Sequence, residues 1–386
     1  MTISQHTGRT ACKKLISKKF ILMSTIKASS ILSVLAGAVV LLSSCDKENP
    51  QQYKYEATFY VGGNVAKDAA YIYKGNELLY RLDDNSTLSG LAVMEDGIYS
   101  CGEFWNLDAN GKLQLSGPVI WKDGKRLDVD FGGTTGSIQN MVKSGKDWLC
   151  CGTITGDDGK NYGIIIENGK VVFRSGDPVS FDYMCLGASG DYYVLVTDLG
   201  SVELWRIDAE TKQLVSSETI ASQKGYDAWF GICMYVGLRD IAVGMWKMNL
   251  LDGTYRSYIW LSGSKGLVDL QENSSIESLC FFNGYCLAGG SVYTEWNESG
   301  SPTSSKAVQW IVSDRTTAMQ DFSIGCIGKS QLNLLMNYDD RFLFQGVRHD
   351  GGFQICQDGA LLEEIKTPKG FNANAWEVTV EKVPVQ

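Results

Sequence analysis

Histidine is nearly missing from this chain: of 386 residues only His6 and His349 are histidine. That excludes histidine-rich metal centres and paired-histidine catalysis. No Gly-x-Ser-x-Gly elbow is present, so a serine hydrolase built around His349 has no signature. Proline is scarce, six against 42 glycines, which suits tight turns and not a proline-rich linker. Long amphipathic helical patterns are few. Positive charge is lopsided: the first 44 residues hold Arg9, Lys13, Lys14, Lys18, Lys19 and Lys27 and no acid. Removing those six charges from a net −9 leaves −15 for the rest. Nucleic acid and anionic lipid surfaces repel such a body, so no nucleic-acid partner is expected. Cations, basic proteins and neutral glycans remain compatible, and the charge also keeps a secreted protein soluble.

Two motifs begin and then fail. Gly325-Cys326-Ile327-Gly328-Lys329-Ser330 ends like a phosphate-binding loop, but the first glycine position is Ser323 and no strand-loop-helix context surrounds it. Asn106-Leu107-Asp108-Ala109-Asn110-Gly111 begins like a calcium loop, but its twelfth position is Gly117 where a bidentate glutamate is needed. No cofactor, no metal and no catalytic residue is therefore assigned. Forty-four acids are present, and nothing in the sequence singles out a pair for glycosidase chemistry.

The leader is a processing signal. Its basic stretch runs into twelve mostly apolar residues, Ile31 to Leu42, too short for a permanent transmembrane helix. Met23 is a candidate start. Leu42-Ser43-Ser44-Cys45 resembles the lipobox of bacterial lipoproteins. The resemblance implies cleavage before Cys45, lipidation of that cysteine with acyl chains such as palmitate, and a membrane partner through the anchor. The domain reading is then residues 1–44 signal peptide, 45–52 lipidated cysteine and polar tether, and 53–386 the folded body. Asp46-Lys47-Glu48 after the cysteine is similar to the surface-export signals of Bacteroidetes lipoproteins; in enteric bacteria Asp46 would resemble an inner-membrane retention signal. The expected address is the outer membrane, facing the cell surface or the periplasm.

The body reads as all-β. Short runs rich in Val, Ile, Tyr, Phe and Trp are punctuated by Asp-Gly, Asn-Gly and Ser-Gly. A strand-turn-strand piece recurs seven times, anchored on Tyr73, Trp121, Ile166, Trp205, Trp260, Trp310 and Cys356. Its mean step of about 47 residues, with four strands A to D per unit, predicts a propeller blade. The first unit lacks strand A, and the chain ends in an orphan strand, Ala375 to Val380. Placed in the empty position, that strand closes the ring and removes an open sheet edge. The expectation is a seven-bladed β-propeller, with six or eight blades left open by the loosely fitting regions 192–198 and 323–346. The repeat shape is similar to WD40 and kelch propellers. Trp-Asp dipeptides are absent, so no functional residue follows from that resemblance.

An exported address permits disulfides, yet most of the nine cysteines after Cys45 lie in apolar strands. A two-residue Asn283-Gly284 turn would pair Cys280 with Leu287 and Cys286 with Phe281, so those thiols face opposite ways. The cysteines read as small buried hydrophobes. The recurring strand-C residues Trp121, Trp205, Trp260 and Trp310 read as blade-to-blade packing.

One end of the ring is expected to work. A–B and C–D turns look minimal, whereas B–C loops look long: Glu103 to Gly117, Thr153 to Asn161, Met245 to Tyr255 and Ser291 to Lys306. Loops on a rigid scaffold carry function. The candidate ligand-binding residues at that end are Glu103, Trp105, Asp157, Asp158, Trp246, Tyr293, Glu295, Trp296, Arg348 and His349, with Phe104 beside them. Aromatics next to carboxylates suit sugar rings or a protein partner. The expected function is an envelope-anchored binding module for a glycan or an envelope protein. The alternatives are a glycan-active enzyme with carboxylates converging in the central channel, and a structural subunit of an envelope complex.

Overall fold

The Asp-Gly and Asn-Gly dipeptides turn the chain where the pattern places them. Asp123-Gly124, Asn168-Gly169, Asn283-Gly284 and Asp358-Gly359 all have positive φ at both residues, the geometry whose twist matches a hairpin. Three of these side chains have a second task. Asp123, Asn168 and Asp358 accept the backbone N–H of Ile98, Trp148 and Leu343 at 2.9, 3.1 and 3.0 Å. Each C–D turn is thereby tied to the second strand of its own blade. Cys280 pairs with Leu287 and Phe281 with Cys286, as the turn length requires, and the nine thiols after Cys45 are free.

The computed structural model describes residues 53–384, apart from 108–112, 239, 264–265, 298–301, 314–315, 324 and 327. The signal peptide, Cys45 and the tether of residues 46–52 lie outside the described residues. Strands form seven four-stranded antiparallel sheets. Six are runs of consecutive strands, within residues 86–126, 136–174, 180–221, 227–272, 274–321 and 330–365. The remaining sheet orders its strands Phe371–Pro384, Tyr53–Val65, Ala69–Lys74, Glu77–Asp84. The last strand thus takes the inner place of blade 1, and the chain is an all-β, seven-bladed propeller closed by its C-terminal strand. The two loosely fitting regions are ordinary: Tyr192–Asp198 is the second strand of blade 4, and Ser330–Tyr338 is the inner strand of blade 7.

The core lies between blades. Trp121 is fully buried in a cluster with Ile72 and Leu82 of blade 1, and its indole N–H donates to Asp83 Oδ2 at 2.7 Å. Trp205 packs edge-on against Phe181 in a cluster that takes Cys151 and Ile165 from blade 3. The large flat residue at one register is what fills the gap between twisted sheets.

The long B–C loops need correction. Residues 103–117 are mostly a continued hairpin, strands Gly97–Leu107 and Leu113–Lys122, with Trp105 opposite Ser116. Likewise Tyr293 stands opposite Ser305 and Trp296 opposite Pro302. The strands run on because pairing satisfies backbone groups that an irregular loop would leave to water.

Candidate functional site: the mouth of the central channel

Inner strands start, second strands end and third strands start at one end of the ring, here called the mouth. All ten candidate residues lie at that end, on second strands or the turns after them. Side-chain direction then separates them.

Trp246, Tyr293 and Arg348 come together. Phe230, on the inner strand of blade 5, stacks on Trp246 with ring centroids 4.9 Å apart and planes at 28°. Trp246 meets Tyr255 edge-on at 6.2 Å, and Tyr255 meets Tyr293 of blade 6 at 5.6 Å. Each pair is in a favoured aromatic geometry. Burial pushes the Tyr255 hydroxyl up to about 12. Beyond Tyr293 lies Arg348 of blade 7, whose guanidinium burial pulls below its ordinary range, against the opposing charge of Glu277. Arg348 donates to Gln331 Oε1. Gln331 Nε2 donates to Glu277 and, at 3.0 Å, to Ser275 Oγ. An aromatic run therefore crosses from blade 5 to blade 6 and ends on a charged, hydrogen-bonded cluster between blades 6 and 7.

Glu103 belongs to the other half of the mouth. It lines a cleft of about 320 Å³ with Ser137, Gln139, Thr153, Asn161 and Asp182. Burial raises the Asp182 carboxyl to about 6, opposed by a hydrogen bond with Thr197. Trp105 leans back on Glu103, donating its indole N–H at 3.1 Å.

The remaining candidates are not part of either half. His349 is 4% exposed and faces the outer strand of its blade, 3.9 Å from Glu364, with the Gly351 N–H donating to its Nδ1 at 3.1 Å. It neighbours Arg348 in sequence, and alternation along the strand sends the two side chains to opposite faces. Asp157 and Asp158 sit on the exposed blade 3 turn, where Asp158 accepts from Tyr162 at 2.7 Å and is held below the usual carboxylate range by that bond. Glu295 and Trp296 sit exposed near the tip of the blade 6 hairpin. Phe104 lies under the Arg126 guanidinium at 4.3 Å.

Sequence reasoning missed Phe230, Tyr255, Gln331, Glu277 and Asp182. Phe230 follows Trp229 directly, so the aromatic pair was a usable signal. Gln331, Glu277 and Asp182 carry none, because inner-strand polar residues look like any solvent-facing strand position, and Tyr255 opens a third strand as one tyrosine among 18.

No family model matches the chain, and no curated protein does. Solved structures resemble it distantly. The Dos1 propeller has a TM-score of 0.41 and 11% identity, covering 81% of this chain and 77% of that one. A protein from Lactobacillus plantarum has a TM-score of 0.44 and 11% identity, covering 84% and 100%. The propeller domain of the trilobed protease from Pyrococcus furiosus has 0.41 and 10%, covering 74% and 86%. Identities this low say nothing of ligand or activity.

Proposed function

We propose that this chain is a binding module, lipid-anchored at the outer membrane through Cys45, that takes a neutral glycan at the channel mouth. One observation carries the reading: the run Phe230, Trp246, Tyr255, Tyr293 leads onto the Arg348, Gln331 and Glu277 cluster. Flat ring faces suit the C–H faces of sugars, and fixed donors and acceptors at the end of the run suit hydroxyls. The acidic body disfavours anionic glycans. Strand Tyr53–Val65 is the second of its sheet, so the chain enters the ring at the end opposite the mouth.

Trp246→Ala and Tyr293→Ala, compared with the wild type on a glycan array, test the reading. Each is expected to lose at least tenfold in affinity, whereas Trp296→Ala keeps wild-type binding. Wild-type binding that neither change alters would overturn it, and capture of only a protein from envelope extracts would favour a protein ligand instead.

A second reading rests on Glu103 and Asp182 lining one cleft, with Asp182 near 6, a suitable value for a general acid. In that reading the module is glycan-active. Reducing-sugar release that disappears in Asp182→Asn and Glu103→Gln would support it.

A further inference from the structure

Each described inner strand from blade 2 to blade 7 carries one extra, unpaired residue at the same height near the mouth. These are Ser89, Gln139, Asp182, Ile232, Glu277 and Asn333. Asn374 holds the same place in blade 1. A Cβ on Gly102 would meet the Thr87 carbonyl oxygen and the Leu88 Cα, and one on Gly63 would meet the Asn372 oxygen and the Ala373 Cα. Ala373 therefore matches Leu88, and Asn374 matches Ser89. A bulge re-aims a side chain, and here it aims at the next blade.

Three of these residues make the same bond. Asn333 Nδ2 donates to the Ala373 carbonyl at 2.9 Å. Asn374 Nδ2 donates to the Leu88 carbonyl at 3.0 Å. Ser89 Oγ donates to the Ile138 carbonyl. The acceptor is always the residue just before the next blade's extra residue. The bonds join blade 7 to 1, 1 to 2 and 2 to 3, as successive links of a belt round the mouth. Gln139 turns back instead, to Ser137 Oγ at 2.7 Å, and Ile232 has nothing to donate.

Asp182 and Glu277 occupy the belt position in blades 4 and 6, where an ionised carboxylate has no proton to give. We infer that they are proton-operated links of this belt: protonated, Asp182 donates to the Gly231 carbonyl and Glu277 to the Leu332 carbonyl; ionised, each link opens. Their surroundings fit. Asp182 bonds Thr197, whose hydroxyl also receives the Gly231 N–H at 3.4 Å, so the carboxyl lies beside the residue it would reach. Glu277 accepts from Gln331, the chain neighbour of Leu332. The titratable and charged groups facing Asp182 are Glu103 in the shared cleft and Cys151 of blade 3. Those facing Glu277 are Arg348 of blade 7 and Cys233 of blade 5. Burial holds both carboxyls above their ordinary range, Asp182 at about 6. With the folded value raised, the contribution of each link is complete below the ordinary carboxylate range. It is lost as pH rises through the folded value, about 6 for Asp182.

The test separates the missing donor from the buried charge, and it does not depend on any ligand. Asp182→Asn and Glu277→Gln supply permanent donors, while Asp182→Leu and Glu277→Leu remove charge and donor together. Melting temperatures are followed from pH 5 to pH 8. The amide variants are expected to melt about 2 °C above the wild type at pH 8; the gap should narrow as pH falls in both, and close by pH 5 for Asp182→Asn. The leucine variants should stay below the amide variants at every pH; Asp182→Ala and Glu277→Ala stand in if leucine prevents folding. Donor-free and amide variants that melt together, or a gap that ignores pH, would overturn the belt.

Discussion

The carboxyls inside the channel and those on the turns answer to opposite forces. Asp182, Glu277 and Glu377 stand on inner strands, and burial raises all three. Asp96, Asp191 and Asp208 stand at the short-turn end, and hydrogen bonds lower all three: Lys122 and Tyr99 hold Asp96, Arg206 and Ser189 hold Asp191, and Thr211 holds Asp208. The same residue type is thus a stabilising acceptor in one place and a burdened charge in the other. Burial removes water from the inner-strand carboxyls, while the turns leave it in place. The two sets also pull stability in opposite directions with pH. Turn carboxyls contribute above their unfolded values, and that contribution is lost as pH falls through their lower folded values. Channel carboxyls contribute below their unfolded values, and that is lost as pH rises through their higher folded ones.

Glu377 offers the largest way to break this contrast. It pairs across the channel with Lys143 of blade 3 at 2.5 Å, although blade 2 lies between their blades, and the lysine also donates to the Val93 carbonyl at 3.3 Å. Lys143→Met leaves a largely buried carboxylate without its cation. With the lysine partly exposed, a loss of about 1–2 kcal/mol at pH 7 is expected, measured by urea unfolding. The loss should shrink towards pH 4.5 as Glu377 takes up a proton; an equal loss at both pH values would break the distinction. Next in size is Asn168→Ala at a turn. It removes the acceptor for the Trp148 N–H and the donor to Asp147 Oδ1 at 2.6 Å, places alanine at a positive φ, and should cost about 1–2 kcal/mol in urea unfolding at pH 7. The smallest effect sharpens the turn side. Arg206→Met removes the guanidinium 2.6 Å from Asp191, and about 0.5–1 kcal/mol is expected at pH 7. That difference should vanish in acid unfolding curves once Asp191 is protonated. A variant weaker by the same amount at every pH across the acid unfolding curve would show that Arg206 acts through packing.

Much of this contrast was readable on one side only. Asp96 and Asn168 sit in Asp-Gly and Asn-Gly pairs between apolar runs, a local signal with a local cause, whereas Asp191 and Asp208 lack the following glycine. The channel acids have no such mark. Ser89, Gln139, Asp182, Ile232, Glu277 and Asn333 share a position and share no chemistry, so no residue pattern could announce the bulges that aim them. The candidate site fared likewise. Trp246, Tyr293 and Arg348 were named from their place at one end of the ring, but their meeting depends on which blades adjoin. His349 was drawn in by its place beside Arg348, and strand alternation turned it away.

By itself the sequence determined the repeat, a propeller of about seven blades, the strand that closes the ring and the hairpin registers. Each follows from period, turn chemistry and the need to cover a sheet edge, all of which act over a few neighbouring residues. Only the tertiary structure decided that the mouth is a belt of bulged residues flanked by an aromatic run and a polar cleft. Those groups meet across blade boundaries, between residues tens to hundreds of positions apart. Which of them lose water is settled only when the ring closes.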